Sequence, residues 1–420
     1  ASDPHLGSTL VSMYGKCGSI TDAEAAFCMI SKHDVVSWTS MLSAYVEQGA
    51  CEKALRLYRQ MQEEMVAMKD LIYVVTLQAC GLLVEKEEAH KIEEKRIKAV
   101  ALLELVNALH RDALRNGYGS ELIVRNTLVS VYGKCGVISQ AENVFCSMLV
   151  RDIISWNAML SACNEQGQGD KTLWLYREMQ QEQLVLNEIT LMCVLQACGE
   201  RGSLAICEKV HFDIVANDMG RISPLISTLI NAYGSCARTI DADSVFDECF
   251  DLTFVTWNAC IASHVGDRNS FASLYMFERS KLTGIMPDSI TFTSVLSACS
   301  HNSLVVEGIK YFTSMSIDDR KRTHFNIMID LLGRAGDFKK IQSILKRMPM
   351  QPDLTVWLCI LGACSTHGNL ELAEVAFENA VCMHPEQSTA YVLMSNIYVD
   401  AQLPDSVIDA IKKKSVLPTV

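Results

Sequence analysis

LVSVYGKCGVISQAENVFCSMLVRDIISWNAMLSACNEQG, residues 128–167, decides the fold because the chain contains it three times in altered form. Its first landmark, Tyr132-Gly-Lys-Cys-Gly136, has counterparts in Tyr14-Gly-Lys-Cys-Gly18 and the weaker Tyr233-Gly-Ser-Cys-Ala237. Its second, Ser155-Trp156-Asn157, answers to Ser37-Trp38-Thr39 and Thr256-Trp257-Asn258. A third follows each of these: Leu77-Gln-Ala-Cys80, Leu195-Gln-Ala-Cys198 and Leu296-Ser-Ala-Cys299. Fixed-period self-similarity is the mark of a repeat architecture and takes precedence over other fold signals.

The spacings set the period. Tyr132 to Tyr233, Trp156 to Trp257 and Cys198 to Cys299 each span 101 residues, whereas the preceding intervals, from Tyr14, Trp38 and Cys80, each span 118. Trp38 to Cys80 and Trp156 to Cys198 are both 42, so the 17 extra residues fall between Cys80 and Tyr132. The charged run Glu85-Lys-Glu-Glu-Ala-His-Lys-Ile-Glu-Glu-Lys-Arg-Ile-Lys98 lies there and reads as a solvated helical insertion, with a partner-binding arm as the other reading.

Each third of the triplet reads as two helices. Leu10 and Tyr14, then Ala23 and Phe27, form apolar i,i+4 pairs on either side of the Gly-rich turn. Thr21-Asp-Ala-Glu24 and Ser139-Gln-Ala-Glu142 have capping-box spacing and are expected to open the second helix. Ala54, Leu57, Tyr58 and Met61 carry one apolar face, repeated by Leu173, Leu175, Tyr176 and Met179. Such a pair buries its apolar face only by stacking on neighbours, which predicts an all-α chain, an α-solenoid of stacked helix-turn-helix repeats.

Composition agrees with this and narrows the function classes. With 8 Pro and 22 Gly in 420 residues, a many-turned β fold is disfavoured. A net charge of −12 argues against a protein held to nucleic acid mainly by phosphate neutralisation. The 17 cysteines are odd in number, lack CxxC spacing and sit mostly in apolar helical runs, as buried thiols of a reducing compartment do. No uncharged apolar run reaches 18 residues, so no membrane span is expected. Ala1-Ser-Asp-Pro-His5 has neither a basic nor an apolar leader character, and any targeting peptide is expected to lie outside these residues.

VVSWTSMLSAYVEQG, LVSMYGKCGSITDAEAAF and ITFTSVLSACSHNSLVVEGIKYF closely resemble the P, S and L motifs of plant PLS-class pentatricopeptide repeat proteins. The resemblance implies a right-handed solenoid of the pentatricopeptide type over residues 1–353. Motifs are placed at 4–34 (S), 35–69 (P), 70–121 (L, with the insertion near 84–100), 122–152 (S), 153–187 (P), 188–222 (L), 223–253 (S), 254–288 (P), 289–321 (L) and 322–353 (S). VWLCILGACSTHGNLELAEVAF then resembles the first C-terminal extension motif of organellar RNA-editing factors, placed at 354–387. AYVLMSNIYV resembles a degraded second one at 388–420, with Ala401-Gln-Leu-Pro404 where the family has a Gly-Arg-Trp-like turn.

The resemblance implies sequence-specific binding of single-stranded RNA, one base per repeat. In the family the fifth and last residues of a motif face the base, and an apolar second residue sandwiches it. By that rule Ser8 with Asp34 resembles a guanine reader; Asn126 with Asp152, Asn258 with Asp288 and Asn326 with Asp353 resemble uracil readers. Asn157 with Asn187 resembles a cytosine reader that tolerates uracil, while Thr39 with Lys69 and Ser227 with Thr253 receive no base. Val36, Ile123, Ile154 and Val255 are the sandwich positions, and the L motifs offer Val74, Met192 and Thr293 at the fifth place. The implied element is G-x-x-U-C-x-x-U-x-U. Read without the resemblance, the same Asn, Ser, Thr and Asp are ordinary helix caps. The tryptophans read as inter-repeat core.

No catalytic constellation is evident. His384-Pro-Glu386 matches half of the cytidine-deaminase pattern, but no P-C-x-x-C follows, and Cys359, Cys364 and Cys382 lack zinc-ligand spacing. The expectation is a non-enzymatic factor with no cofactor and no metal, choosing sites for C-to-U editing while a DYW-type deaminase acts in trans or lies downstream of these residues. The resemblance also implies organellar editing-factor proteins as partners, and a mitochondrial or chloroplast location with the mitochondrion placed first. RNA splicing or stabilisation, and a protein-binding solenoid without RNA, are the alternatives.

Overall fold

In the computed structural model residues 4–31, 33–86, 92–182, 184–265 and 270–402 are described, and every regular element among them is helical. First helices open at Pro4, Val35, Asp70, Leu122, Ile153, Glu188, Ser223, Phe254, Ser289, Arg322, Leu354 and Ser388. Those at Leu122, Ile153 and Glu188 recur 101 residues later at Ser223, Phe254 and Ser289. The chain forms two compact units, Ala1–Val210 and His211–Val420. Within the first, the helix Pro4–Lys16 packs on its own second helix, Ile20–Cys28, and on the next first helix, Val35–Glu47. Within the second, Ser223–Ser235 packs likewise on Thr239–Asp247 and Phe254–Ser263. The fold is an all-α solenoid of stacked helical hairpins.

The Tyr-Gly-Lys-Cys-Gly signature makes the turn. Gly18 and Gly136 have φ of 82° and 76°, the left-handed region that glycine enters without penalty. The turn then closes with Ser19 N donating to Tyr14 O and Val137 N to Tyr132 O, both at 3.0 Å. In the third copy Ala237 holds φ at 56° with the same closure, Arg238 N to Tyr233 O at 2.9 Å. The inner glycine serves packing: a Cβ on Gly15 would stand 2.5 Å from Ala44 Cβ, and one on Gly133 2.4 Å from Ala162 Cβ. Gln48 and Gln166 donate to the carbonyls of these glycines, stitching each hairpin to the next.

The expected capping boxes at Thr21 and Ser139 do not form. The second helices open one residue earlier, at Ile20 and Ile138, and their N-caps Ser19 and Val137 make no side-chain cap bond. The left-handed glycine feeds the chain directly into the helix, so Glu24 and Glu142 are released to reach the next motif. Glu24 accepts from Tyr45 Oη and Lys53 Nζ, both at 2.8 Å, and Glu142 pairs with Lys171. Capping boxes occur instead before first helices, at Asp34/Ser37, Asp152/Ser155 and Asp288/Thr291.

Between the hairpins of each unit runs an apolar core. Trp38, Trp156 and Trp257 are buried in it, edge-on to Phe27, Phe145 and Phe246 with ring centroids 5.1, 5.0 and 4.7 Å apart. Each such pair contributes about 0.5–1.5 kcal/mol beyond its buried area. None of the 17 cysteines forms a disulfide, and burial pushes the Cys80 and Cys299 thiols up to about 12. The insertion lengthens a second helix: Ile92–Arg115 has 24 residues where its counterpart Leu204–Ala216 has 13. Residues 87–91 of the charged run, and 403–420 of the second extension motif, lie outside the described residues. No helix among the described residues is long and apolar enough to cross a membrane.

Candidate nucleic-acid interface

The first turns of successive first helices line one groove of about 950 Å³ in the first unit. Val74, Ile123, Asn126, Asp152, Ile154 and Asn157 all face it. Ile123 and Ile154 are 51% and 60% exposed, and Val36 and Val255 are similarly open, a costly placement for apolar side chains unless something covers them. The asparagines beside them are held fast, with Asn126, Asn157 and Asn258 only 8, 7 and 8% exposed.

Helix capping is what holds them. Asp34, Asp152, Asn187, Thr253, Asp288 and Asp353 are each the N-cap of the following helix, their side chains accepting from the backbone N–H three residues on. Asn126 Nδ2 donates to Asp152 Oδ1 and Asn258 Nδ2 to Asp288 Oδ1, both at 3.2 Å; Asn157 Nδ2 donates to Asn187 Oδ1 at 3.0 Å. Burial pushes the Asp152 and Asp288 carboxyls up, but the bonds from Ser155 or Thr291 and from the asparagine outweigh it and hold both below the ordinary value. The two carboxylates are therefore ionised at neutral pH.

Other sites of the same class are arranged differently. No hydrogen bond joins Asn326 to Asp353, whose nearest cation is Arg322 at 3.8 Å. Thr39 turns its hydroxyl back to Val35 O, and Ser227 to Ser223 O. Ser8 is buried on its helix and Asp34 caps the next one. Of the fifth-place residues expected for L motifs, Val74 is buried, and Thr293 Oγ1 lies 3.1 Å from His324 Nε2.

Residue reasoning missed the third member of these clusters. Thr190 Oγ1 donates to Asn157 Oδ1 at 2.7 Å and Thr291 Oγ1 to Asn258 Oδ1 at 2.6 Å. The signal was the cap spacing at motif junctions, Asn187-Glu-Ile-Thr190 and Asp288-Ser-Ile-Thr291. One trio of potential metal donors also exists among the described residues: His264 Nε2 and Cys260 Sγ lie 2.9 and 3.8 Å from Asp243 Oδ1. It occupies the place where Glu24 meets Tyr45 and Glu142 meets Lys171, and burial pushes the Cys260 thiol far up, so it is a third version of that inter-motif bond.

With this geometry in place, the PPR repeat family model matches residues 36–66, 123–153, 154–184, 290–318 and 323–351. Those five segments match pentatricopeptide repeats. Similar proteins carry them too: pentatricopeptide repeat-containing protein CRR2, chloroplastic, of Arabidopsis thaliana is 33% identical, covering 96% of this chain and 60% of its own. A mitochondrial pentatricopeptide repeat-containing protein of the same plant is 32% identical, with 96% and 61% covered. The chain thus spans 60–61% of the length of these curated relatives. The crystal structure of the pentatricopeptide repeat protein PPR10 in complex with an 18-nt psaJ RNA element superposes with a TM-score of 0.68 at 17% identity, covering 98% of this chain and 61% of that one. PPR10 from maize alone gives 0.63 at 18% identity, with 99% and 64% covered. These two likenesses concern the fold.

Proposed function

We propose that the first-helix face of the pentatricopeptide repeats binds single-stranded RNA, one base per P or S motif, and that the chain is a site-recognition factor in organellar RNA processing. The observation that carries this reading is the pairing of a buried, fixed amide with a capping side chain between exposed apolar residues. The asparagine keeps one N–H for the base. Asp152 and Asp288 keep a second carboxylate oxygen, an acceptor suited to the uracil N3–H. At Asn187 the helix N–H of Thr190 claims Oδ1, so its Nδ2 turns outward as a donor suited to the cytosine N3. Stacking between Ile123 and Ile154, and on Val36 and on Val255 in their own motifs, supplies affinity independent of phosphate, which suits a chain of charge −12. PPR10, of the same fold, crystallises with an RNA element.

Within this reading, the motif order P, L and S and the extension motif at 354–387 favour C-to-U editing, with a DYW-type deaminase acting in trans as the proposed partner. Editing-factor proteins would be further partners. The relatives named are divided between chloroplast and mitochondrion, and the mitochondrion is the first compartment to test. The first experiment is fluorescence anisotropy with G-x-x-U-C-x-x-U-x-U against a scrambled RNA at equal salt. The designed strand is expected to bind more tightly, and Asn258→Ala to cost about 1–3 kcal/mol at its matched uracil, the range for a base-directed contact. Equal binding of both strands would exclude the code and favour a protein ligand on this face. In plants lacking the protein, loss of one edited cytidine would separate editing from splicing or stabilisation, where introns or transcript ends change instead.

A further inference from the structure

The asparagines that resemble base readers differ in one respect that their own identity does not set. Asn157 and Asn258 each have their amide oxygen engaged by a threonine hydroxyl from the next motif, Thr190 and Thr291. The Asn126 amide oxygen is buried and has no hydrogen-bond partner among the described residues, and the same is true of Asn326. The residue at the third helical position of the next motif accounts for the difference. It is Thr at 190 and 291, Ser at 155 and Val at 356. Ser155 sends its hydroxyl to Asp152 Oδ1 at 2.8 Å, and Val356 has none to send.

The orientation of each amide follows from the cap upward. Thr291 N donates to Asp288 Oδ1 at 2.8 Å, so that oxygen is an acceptor, and Asn258 must turn its Nδ2 toward it. Asn258 Oδ1 then faces Thr291 Oγ1. That hydroxyl has one proton for two oxygens, Asn258 Oδ1 at 2.6 Å and Asp288 Oδ1 at 2.8 Å. Asp288 Oδ1 is already supplied by two N–H donors, whereas Asn258 Oδ1 has no other, so the proton serves the asparagine. The same steps fix Asn157 through Asn187 and Thr190. Threonine is suited to the task because its methyl restricts the rotamer, while serine turns freely to the carboxylate.

We propose that the third residue of the following motif's first helix is a specificity-determining position, acting through the asparagine: Thr190 and Thr291 add a second bond that locks the amide as a donor toward the base, whereas beside Ser155 the Asn126 amide is held by Asp152 Oδ1 alone and beside Val356 the Asn326 amide has neither bond. This rests on the RNA reading proposed above. A locked donor disfavours the exocyclic amine of cytosine at the place of the uracil carbonyl, whereas a loosely held amide turns its oxygen to accept it. At 153–187 the Thr190 lock opposes the cytosine preference given by Asn187, which suits a motif that tolerates uracil. Residues 254–288 therefore read uracil strictly, 322–353 admit cytosine beside uracil, and 122–152 fall between the two, although all three have the same Asn and Asp.

The test is a competition titration with RNAs carrying U or C at the base matched to each motif, using the whole chain. Thr291→Val is expected to lower the U-over-C ratio at its own base by about tenfold, the effect of one hydrogen bond to a buried polar group, with Thr291→Ser intermediate and other bases unchanged. Ser155→Thr and Val356→Thr are expected to raise the ratio at theirs, which keeps the proposal testable if Thr291→Val fails to fold. A uniform loss of affinity with unchanged ratios would overturn it by making the residue structural only. Were the unaltered protein to show no base preference at any position, the RNA reading itself would fall, an outcome distinct from unaltered ratios in a protein that does discriminate.

Discussion

At residue 237 the chain puts a methyl group where two earlier copies of the same turn have none. Gly18 and Gly136 sit at positive φ without strain, whereas Ala237 is held at φ 56°. A left-handed alanine costs roughly 1–2 kcal/mol, and glycine returns part of that as unfolded-state entropy. Ala237→Gly should therefore stabilise the His211–Val420 unit by about 0.5–1 kcal/mol in urea unfolding, with no change at Gly136 to compare. The weak third copy of the signature was visible in the sequence, but its meaning as stored strain was not, since nothing in Tyr-Gly-Ser-Cys-Ala says that the turn keeps its shape. The asparagines proposed to face bases were similarly half legible. Their positions followed from the motif resemblance, but the hydroxyls of Thr190 and Thr291 come from a different motif, and a motif read by itself does not contain them.

Pairs of first helices meet at the inner glycine, and this contact tests how far the packing is shared. A Cβ at Gly133 would stand 2.4 Å from Ala162 Cβ and 2.9 Å from its Cα, so a backbone must shift. Gly133→Ala should destabilise the first unit by about 1–3 kcal/mol, the range for overpacking, and Ala162→Gly should restore part of it in the double variant. Additive losses in a thermal or urea melt would show that the two residues do not share the contact. The period of the helices was fully legible because landmarks repeat with the packing that requires them. The helix starts were less so: Thr21 and Ser139 have the spacing of a capping box, yet a left-handed glycine upstream starts each second helix before it. Local patterns mislead where a backbone turn has already committed the chain.

Across the whole molecule, burial holds three histidines neutral. His110 and His211 bond through Nδ1 to Tyr132 and Tyr233, and burial lowers both; His324 is lowered by burial too, against the opposing pull of the Ser289 carbonyl. For such a group the unfolded chain takes up the proton first. Stability is thus complete above the ordinary histidine value of about 6.5 and declines as pH falls from there toward the lowered values. The aspartates at 152 and 288 act in a separate window, losing their contribution only below the ordinary carboxylate value. Urea midpoints should drop between pH 7.5 and 5.5, and His110→Gln, His211→Gln and His324→Gln together should flatten that drop; an unchanged slope would assign it to other groups. Charge and composition spoke to this scale only in general terms. The partly buried His–Tyr pairs recur 101 residues apart but depend on contacts between motifs.

The N-caps carry a consequence for how such a chain can change over generations. A residue that closes a helix start must be short and bear an oxygen, and replacing it by alanine costs roughly 0.5–2 kcal/mol. The last places of six motifs obey that grammar, with Asp, Asn and Thr at 34, 152, 187, 253, 288 and 353. At Glu121, Ile222 and Lys321 no side-chain cap bond forms, and Lys69 has no acceptor to offer. Fold stability therefore narrows the alphabet in which this position can be written before any ligand exerts selection. Drift between Asp and Asn stays inside that alphabet, so a new preference can arise in one step without passing through an unstable ancestor.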